Sequence, residues 1–137
     1  MKKIAWAFLV VLLAVGVGWQ AMRFTRNQLD SRVAKFNADA ETLIQGIQQY
    51  KEFVGNYPSA NNVDIVKSLL GQTDKKVLIL TVRKSDINSK GEVIDPWGTP
   101  MKFYISGDSL LVRSAGPNKV WEDSTVMAGD DLFRSNN

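Results

Sequence analysis

Hydrophobic and polar positions change their rhythm once, near Met22. From Ile4 to Trp19 there is no charge and no polar side chain beyond the tryptophan rings. Carried on through Gln20 to Met22, the run gives roughly 28 Å of helix, against an apolar bilayer core of about 30 Å. Trp6 and Trp19 stand near its ends, where amphipathic rings favour the headgroup zone. Beyond Met22 the period changes. Leu29, Val33, Phe36, Ala40, Leu43, Ile47, Tyr50 and Val54 recur in alternating steps of four and three, a heptad seam that Ile44 widens. Arg32, Lys35, Asp39, Glu41, Gln45, Gln48 and Lys51 lie mostly off it, and no proline precedes Pro58. The pattern predicts a membrane anchor over residues 1–22, continued without a break by an amphipathic spine helix over 23–54 that must bury one face.

The rest of the chain, residues 55–137, has shorter elements. Gly55-Asn56-Tyr57-Pro58 stops the helix with a glycine able to take positive φ and a proline that cannot continue it. Asn61 or Asn62 can cap a short second helix whose buried side is Val63, Val66, Leu69 and Leu70, closed by Gly71. Val77 to Val82 is apolar and rich in β-branched residues, which predicts a strand or another buried segment; Arg83 to Glu92 is a charged surface loop. Met101 to Ile105 and Leu110 to Arg113 read as two strands around a Ser106-Gly107-Asp108-Ser109 turn. After Ser114 the pattern dissolves into loop. A sheet this small has one face to cover, and the stripe of the long helix is the only surface large enough to do so. The fold class expected is α+β, a long N-terminal helix against a small antiparallel sheet.

Composition narrows the function. A chain of 137 residues leaves roughly 80 for the head once the helix is removed, a size that usually needs a packed helix, a metal or a disulfide. There is no cysteine, so no disulfide, and no histidine, so the commonest general base and zinc ligand is absent. Without either, a catalyst would need paired carboxylates or a serine with a lysine base, and no spacing suggests them. Ser109, Ser114 and Ser124 suit turns, and a non-enzymatic protein is expected. The net charge of +3 has no long basic run outside the membrane flank, so nucleic acid is not indicated.

Met1-Lys2-Lys3 before an apolar run fits an anchor or a cleaved signal; poor cleavage positions and helical pattern on both sides of any cut favour the anchor. Lys2 and Lys3 draw the N-terminus to the cytoplasm, against Arg23, Arg26 and Arg32 at the other end. The expectation is a single pass through the cytoplasmic membrane with the head in the periplasm.

Two loop clusters carry the remaining information. Asp95-Pro96-Trp97-Gly98-Thr99-Pro100 is the densest group of turn formers, and its tryptophan reads as a plug beneath the turn. Asn118, Glu122, Asp123, Asp130 and Asp131 gather five oxygen-bearing side chains in the tail. Calcium takes about six to eight oxygens and tolerates irregular loops. Spacing alone is equally compatible with a solvated acidic tail.

Gly55-Asn56-Tyr57-Pro58, Asp95-Pro96-Trp97-Gly98-Thr99-Pro100, Ser114-Ala115-Gly116-Pro117-Asn118 and Gly129-Asp130-Asp131-Leu132 together resemble, in order and spacing, the major pseudopilins of type II secretion systems. The resemblance implies a pilin-like fold, a periplasmic head stabilised by calcium, and subunits that stack through their spine helices. It implies Asn118, Asp130 and Asp131 as the metal ligands, with an uncharged amide at Asn118 where the family has an aspartate. The partners implied are membrane lipid, other pseudopilin-like subunits and inner-membrane proteins of the secretion system. The N-terminus departs from the family: residues 1–10 hold no glycine cleavage site, and no acid stands in the apolar run. The function expected is therefore a membrane-anchored, pseudopilin-like structural or accessory subunit of a secretion or pilus-type system. The alternative is a solitary tethered periplasmic binding module that enters no filament.

Overall fold

A computed structural model describes residues 2–79, 82–122 and 129–136, with side chains from residue 17 onward. It is α+β, with a long N-terminal helix and a three-stranded antiparallel sheet. Helix α1 spans Lys2–Val54 without interruption, as the absence of proline and of helix-breaking pairs predicts. The chain divides into two compact units, Met1–Val33 and Ala34–Asn137. The sequence reading divides it instead at 22 and 54; the packing of the head draws residues 34–54 into the second unit.

In the first unit Val17, Trp19, Met22, Phe24 and Leu29 are exposed. Leu29 was expected to lie buried on the seam and does not, because it precedes the segment that the head covers. No helix is long and apolar enough to cross a membrane among the described residues. The anchor expected over residues 1–22 falls largely on side chains 1–16, outside those described.

In the second unit the seam is buried as its period requires. Phe36, Ala40 and Ile47 are fully enclosed, and Leu43, Ile44 and Tyr50 nearly so. Each large apolar side chain buried this way is worth roughly 1.5–3 kcal/mol against exposure. Gly46 is buried beside them. Gly55 closes the helix at φ +93°, donating its N–H to Lys51 O at 2.7 Å.

Strands β1 (Lys102–Ser106) and β2 (Ser109–Ser114) form a hairpin with Phe103 opposite Val112 and Ile105 opposite Leu110. Phe103, Leu110, Val112 and Ser114 turn to the core, while alternate positions are more exposed. Gly107 supplies the positive φ, +56°, that a two-residue hairpin turn needs at its first central position. Strand β3 (Leu132–Ser135) pairs antiparallel with β2, which makes β2 the central strand. This corrects the expectation that the chain is loop after Ser114. Only four residues long and exposed over three of them, β3 has little hydrophobic alternation to announce it.

Charged pairs join helix and sheet. Arg134 on β3 donates to Glu41 Oε2 from Nε at 3.0 Å and from Nη2 at 2.8 Å, and Lys51 pairs with Asp108 in the hairpin turn. Helix α2 (Asn62–Leu69) is capped by Asn61, whose side chain accepts from the N–H groups of Val63 and Asp64. Asn62, the other candidate cap, turns inward. It accepts from Val93 N at 2.7 Å and donates to the carbonyls of Val93 and Met101. The buried side of α2 is Ile65, Val66, Ser68 and Leu69, with Val63 and Leu70 half-buried.

The run Val77 to Val82 is not a strand in its described part. Leu78 makes one isolated bridge with Leu70 and is 66% exposed; residues 80 and 81 lie outside the described set. In the Arg83–Glu92 loop a short 3-10 turn, Lys84–Asp86, sets Asp86 within 3.3 Å of Lys35 on α1.

A candidate cation site in the C-terminal loop

The turn at residues 95–100 and the end of β2 support the loop that follows. Trp97 is buried, as expected of a plug. Asp95, only 3% exposed, accepts from the N–H groups of Trp97 at 3.0 Å and Thr99 at 2.9 Å. Its other oxygen accepts from the Ser114 hydroxyl at 2.6 Å, and Ser114 Oγ in turn accepts from Gly116 N at 3.0 Å. Ser114 thus links the turn to the loop rather than serving a turn of its own.

From Gly116 the chain bends back on itself. Gly116 has φ +67°, and a Cβ there would stand 2.1 Å from the carbonyl oxygen of Asp130. No other residue fits so close to backbone. Asn118 then holds the two arms together. Its backbone N–H donates to Asp130 Oδ2 at 3.0 Å, its side-chain amide donates to Glu122 Oε1 at 3.0 Å, and its amide oxygen accepts from Val120 N at 2.7 Å.

The result is a cluster of three carboxylates. One oxygen from each of Glu122, Asp130 and Asp131 lies within 4.8 Å of the others. Glu122 Oε2, Asp130 Oδ1 and Asp131 Oδ1 are buried and accept no hydrogen bond among the described residues. Carboxylates brought this close repel one another when ionised, and their buried oxygens are poorly solvated. A hard divalent cation is the partner that oxygens of this kind fit.

The ligand set implied by the resemblance is Asn118, Asp130 and Asp131. The structure brings Asp130 and Asp131 together, places Glu122 as the third anionic group, and turns Asn118 toward them through its N–H groups. Asn118 Oδ1 accepts from Val120 N, while its N–H groups align the carboxylates of Asp130 and Glu122. Asp123, another of the acidic tail residues, lies outside the described set.

Sequence reasoning missed Arg113 altogether. On β2, its Nε donates to Asp131 Oδ2 at 2.6 Å, and its Nη2 contacts the same carboxylate and the Glu122 carbonyl. The guanidinium lies 5.4 Å from the centre of the Trp121 ring and 5.2 Å from that of Phe133. Burial is the largest single influence and opposes its charge, but the hydrogen bonds and negative charges of Asp131 and Tyr104 together outweigh it and raise its pKa above the ordinary arginine value. An arginine at the end of a strand pattern carries no signal that distinguishes it from a solvated one.

Comparison of the chain with protein-family models, curated proteins and solved structures finds no match.

Proposed function

We propose that this protein is a membrane-anchored, pilin-like structural subunit of a secretion or pilus-type assembly, with a C-terminal loop fixed by calcium. The observation that carries the reading is the cluster of Glu122, Asp130 and Asp131, each with a buried carboxylate oxygen that accepts no hydrogen bond among the described residues. Glu122 lies on the outgoing arm of the loop, and the two aspartates lie on the returning arm just before β3. A bound ion would supply positive charge between them. Asn118 orients two of the three groups, and the Asp95–Ser114 pair fixes the point from which the loop departs.

The long helix supports the same reading: α1 gives the head its core along one stripe, and the sequence before Val17 is apolar from Ile4. The role is mechanical, and the chemistry of the site is that of a clamp. A head without disulfides gains its distal rigidity from the ion.

The test is thermal unfolding of the full chain in detergent, with excess calcium or with chelator. At calcium about one hundred times its Kd the head gains about 2.7 kcal/mol, seen as a raised midpoint. Asp130→Asn and Glu122→Gln each abolish most of the rise. An unchanged midpoint for the parent chain removes the ion from the function.

A second reading, a solitary tethered binding module, draws on the outer face of α1. Gln28, Arg32, Thr42 and Gln49 are all exposed and polar, which gives helices stacked at these positions little apolar area. Cross-linking of single cysteines at positions 42 and 49 in native membranes separates the two: copies of the chain captured on one another support the assembly, and none supports the module.

A further inference from the structure

We propose that Arg113 is a tethered counter-ion that sets the charge of the cation site and thereby its preference for divalent ions. The inference rests on the calcium-bound reading above and concerns this chain's own residues. Glu122, Asp130 and Asp131 bring three negative charges; the guanidinium brings one positive charge, which leaves two for an ion to neutralise.

The pairing is buried enough for that balance to matter. The Asp131 side chain is 4% exposed and that of Arg113 14%, so little water screens them. Arg113 engages Oδ2 of Asp131 and leaves Oδ1, which has no donor among the described residues, for an ion. Trp121 and Phe133 flank the guanidinium and hold it beside the carboxylates. A divalent ion brings the cluster to neutrality. A trivalent ion would leave an uncompensated positive charge in the same enclosed place, which costs more than in water.

Removing the charge of Arg113 reverses the preference. The cluster then carries three negative charges, binds any cation more tightly, and is neutralised by a trivalent one. Lysine at this position keeps the charge while losing the planar fork.

The experiment uses the full chain in detergent, titrated with calcium and with terbium, whose luminescence is sensitised by the neighbouring Trp121. Arg113→Gln is expected to tighten calcium about tenfold and terbium further, so that the terbium-to-calcium affinity ratio rises; Arg113→Lys keeps the parent ratio. An unchanged ratio in Arg113→Gln, with calcium binding equal or weaker, overturns the proposal and leaves Arg113 as a residue that merely positions Asp131. If Arg113→Gln loses its folded circular dichroism spectrum in chelator, recovery on adding calcium supports the exchange of one cation for another. Failure to recover while Arg113→Lys stays folded overturns it. Binding of neither ion by parent or variant overturns both this proposal and the calcium reading, whereas an unaltered ratio with normal parent binding overturns this proposal alone.

Discussion

The carboxylate of Asp95 and the hydroxyl of Ser114 are both buried and meet at 2.6 Å. The bond joins a turn that precedes β1 to the last residue of β2, and so sets where the C-terminal loop leaves the sheet. Among the described residues, the Asp95 carboxyl accepts from two backbone N–H groups and one hydroxyl.

Asp95→Ala leaves three donors without an acceptor, each a penalty of about 1–3 kcal/mol where buried. A loss of at least about 3 kcal/mol is expected for the full chain in urea. Ser114→Ala removes one donor to Asp95 and the acceptor of the Gly116 N–H, and costs less, about 1–2 kcal/mol. The double variant is expected to fall short of the sum, because the bond they share is lost once. Additive losses would mean that the two groups act separately.

Gly116→Ala forces a side chain into positive φ and against the Asp130 carbonyl. A loss of about 2–4 kcal/mol is expected, together with loss of calcium-dependent stabilisation, since the aspartate arm must move. Gly98→Ala is the control: φ is +88° there, but nothing stands within 4 Å of the added carbon. It costs backbone strain of about 1 kcal/mol and leaves the calcium response intact.

Two apolar substitutions separate core from surface. Ile47→Ala empties a fully enclosed position on α1 and is expected to cost about 2–5 kcal/mol. Leu78→Ser changes a largely exposed residue, and its effect is expected within about 0.5 kcal/mol. Chemical denaturation of each variant measures both; a large loss from Leu78→Ser would return the Val77–Val82 run to the core.

Asp86 gives the acid limb of the stability curve a residue-level test. Burial pushes its carboxyl up, but hydrogen bonds from Arg83 and Lys35 outweigh that and hold it below its ordinary value of 3.8. A depressed folded value means that the stabilisation is complete above the unfolded value and is lost as pH falls through the folded one. Asp86→Asn is therefore expected to lose stability at neutral pH and to show a shallower decline than the parent below about pH 4. The decline is not abolished, since Glu41 and Asp108 are also depressed, by hydrogen bonds from Arg134 and Lys51. Urea midpoints between about pH 2 and pH 6 make the comparison; parallel curves would remove Asp86 from the acid response.

The parts of this chain that were legible in sequence share one property: each is written in local periodicity or turn chemistry. The seam from Phe36 to Tyr50 is buried because a helix repeats every 3.6 residues, whatever covers it. The β1–β2 hairpin was legible because Gly107 and the alternation around it are adjacent in sequence. Strand β3 was not. Its four residues show no alternation, and its pairing with β2 spans a loop whose length no turn signal records. The Val77–Val82 run was read as a strand or another buried segment because β-branched composition reports what a segment would do in a sheet; in its described part it forms one isolated bridge, and Leu78 is largely exposed.

The candidate site divides in the same way. The clustering of acids in the tail was visible in the letters, and with it the oxygen chemistry that suits calcium. Which three carboxylates meet, the aligning role of Asn118, and the guanidinium of Arg113 against Asp131 depend on how the loop returns to β2. Sequence alone determined the long helix, its buried stripe and the first hairpin, because backbone sterics and burial period act over a few residues. Only the tertiary structure decided the third strand and the charge balance of the loop, because both depend on free energies between groups far apart in the chain, whose proximity no local pattern encodes.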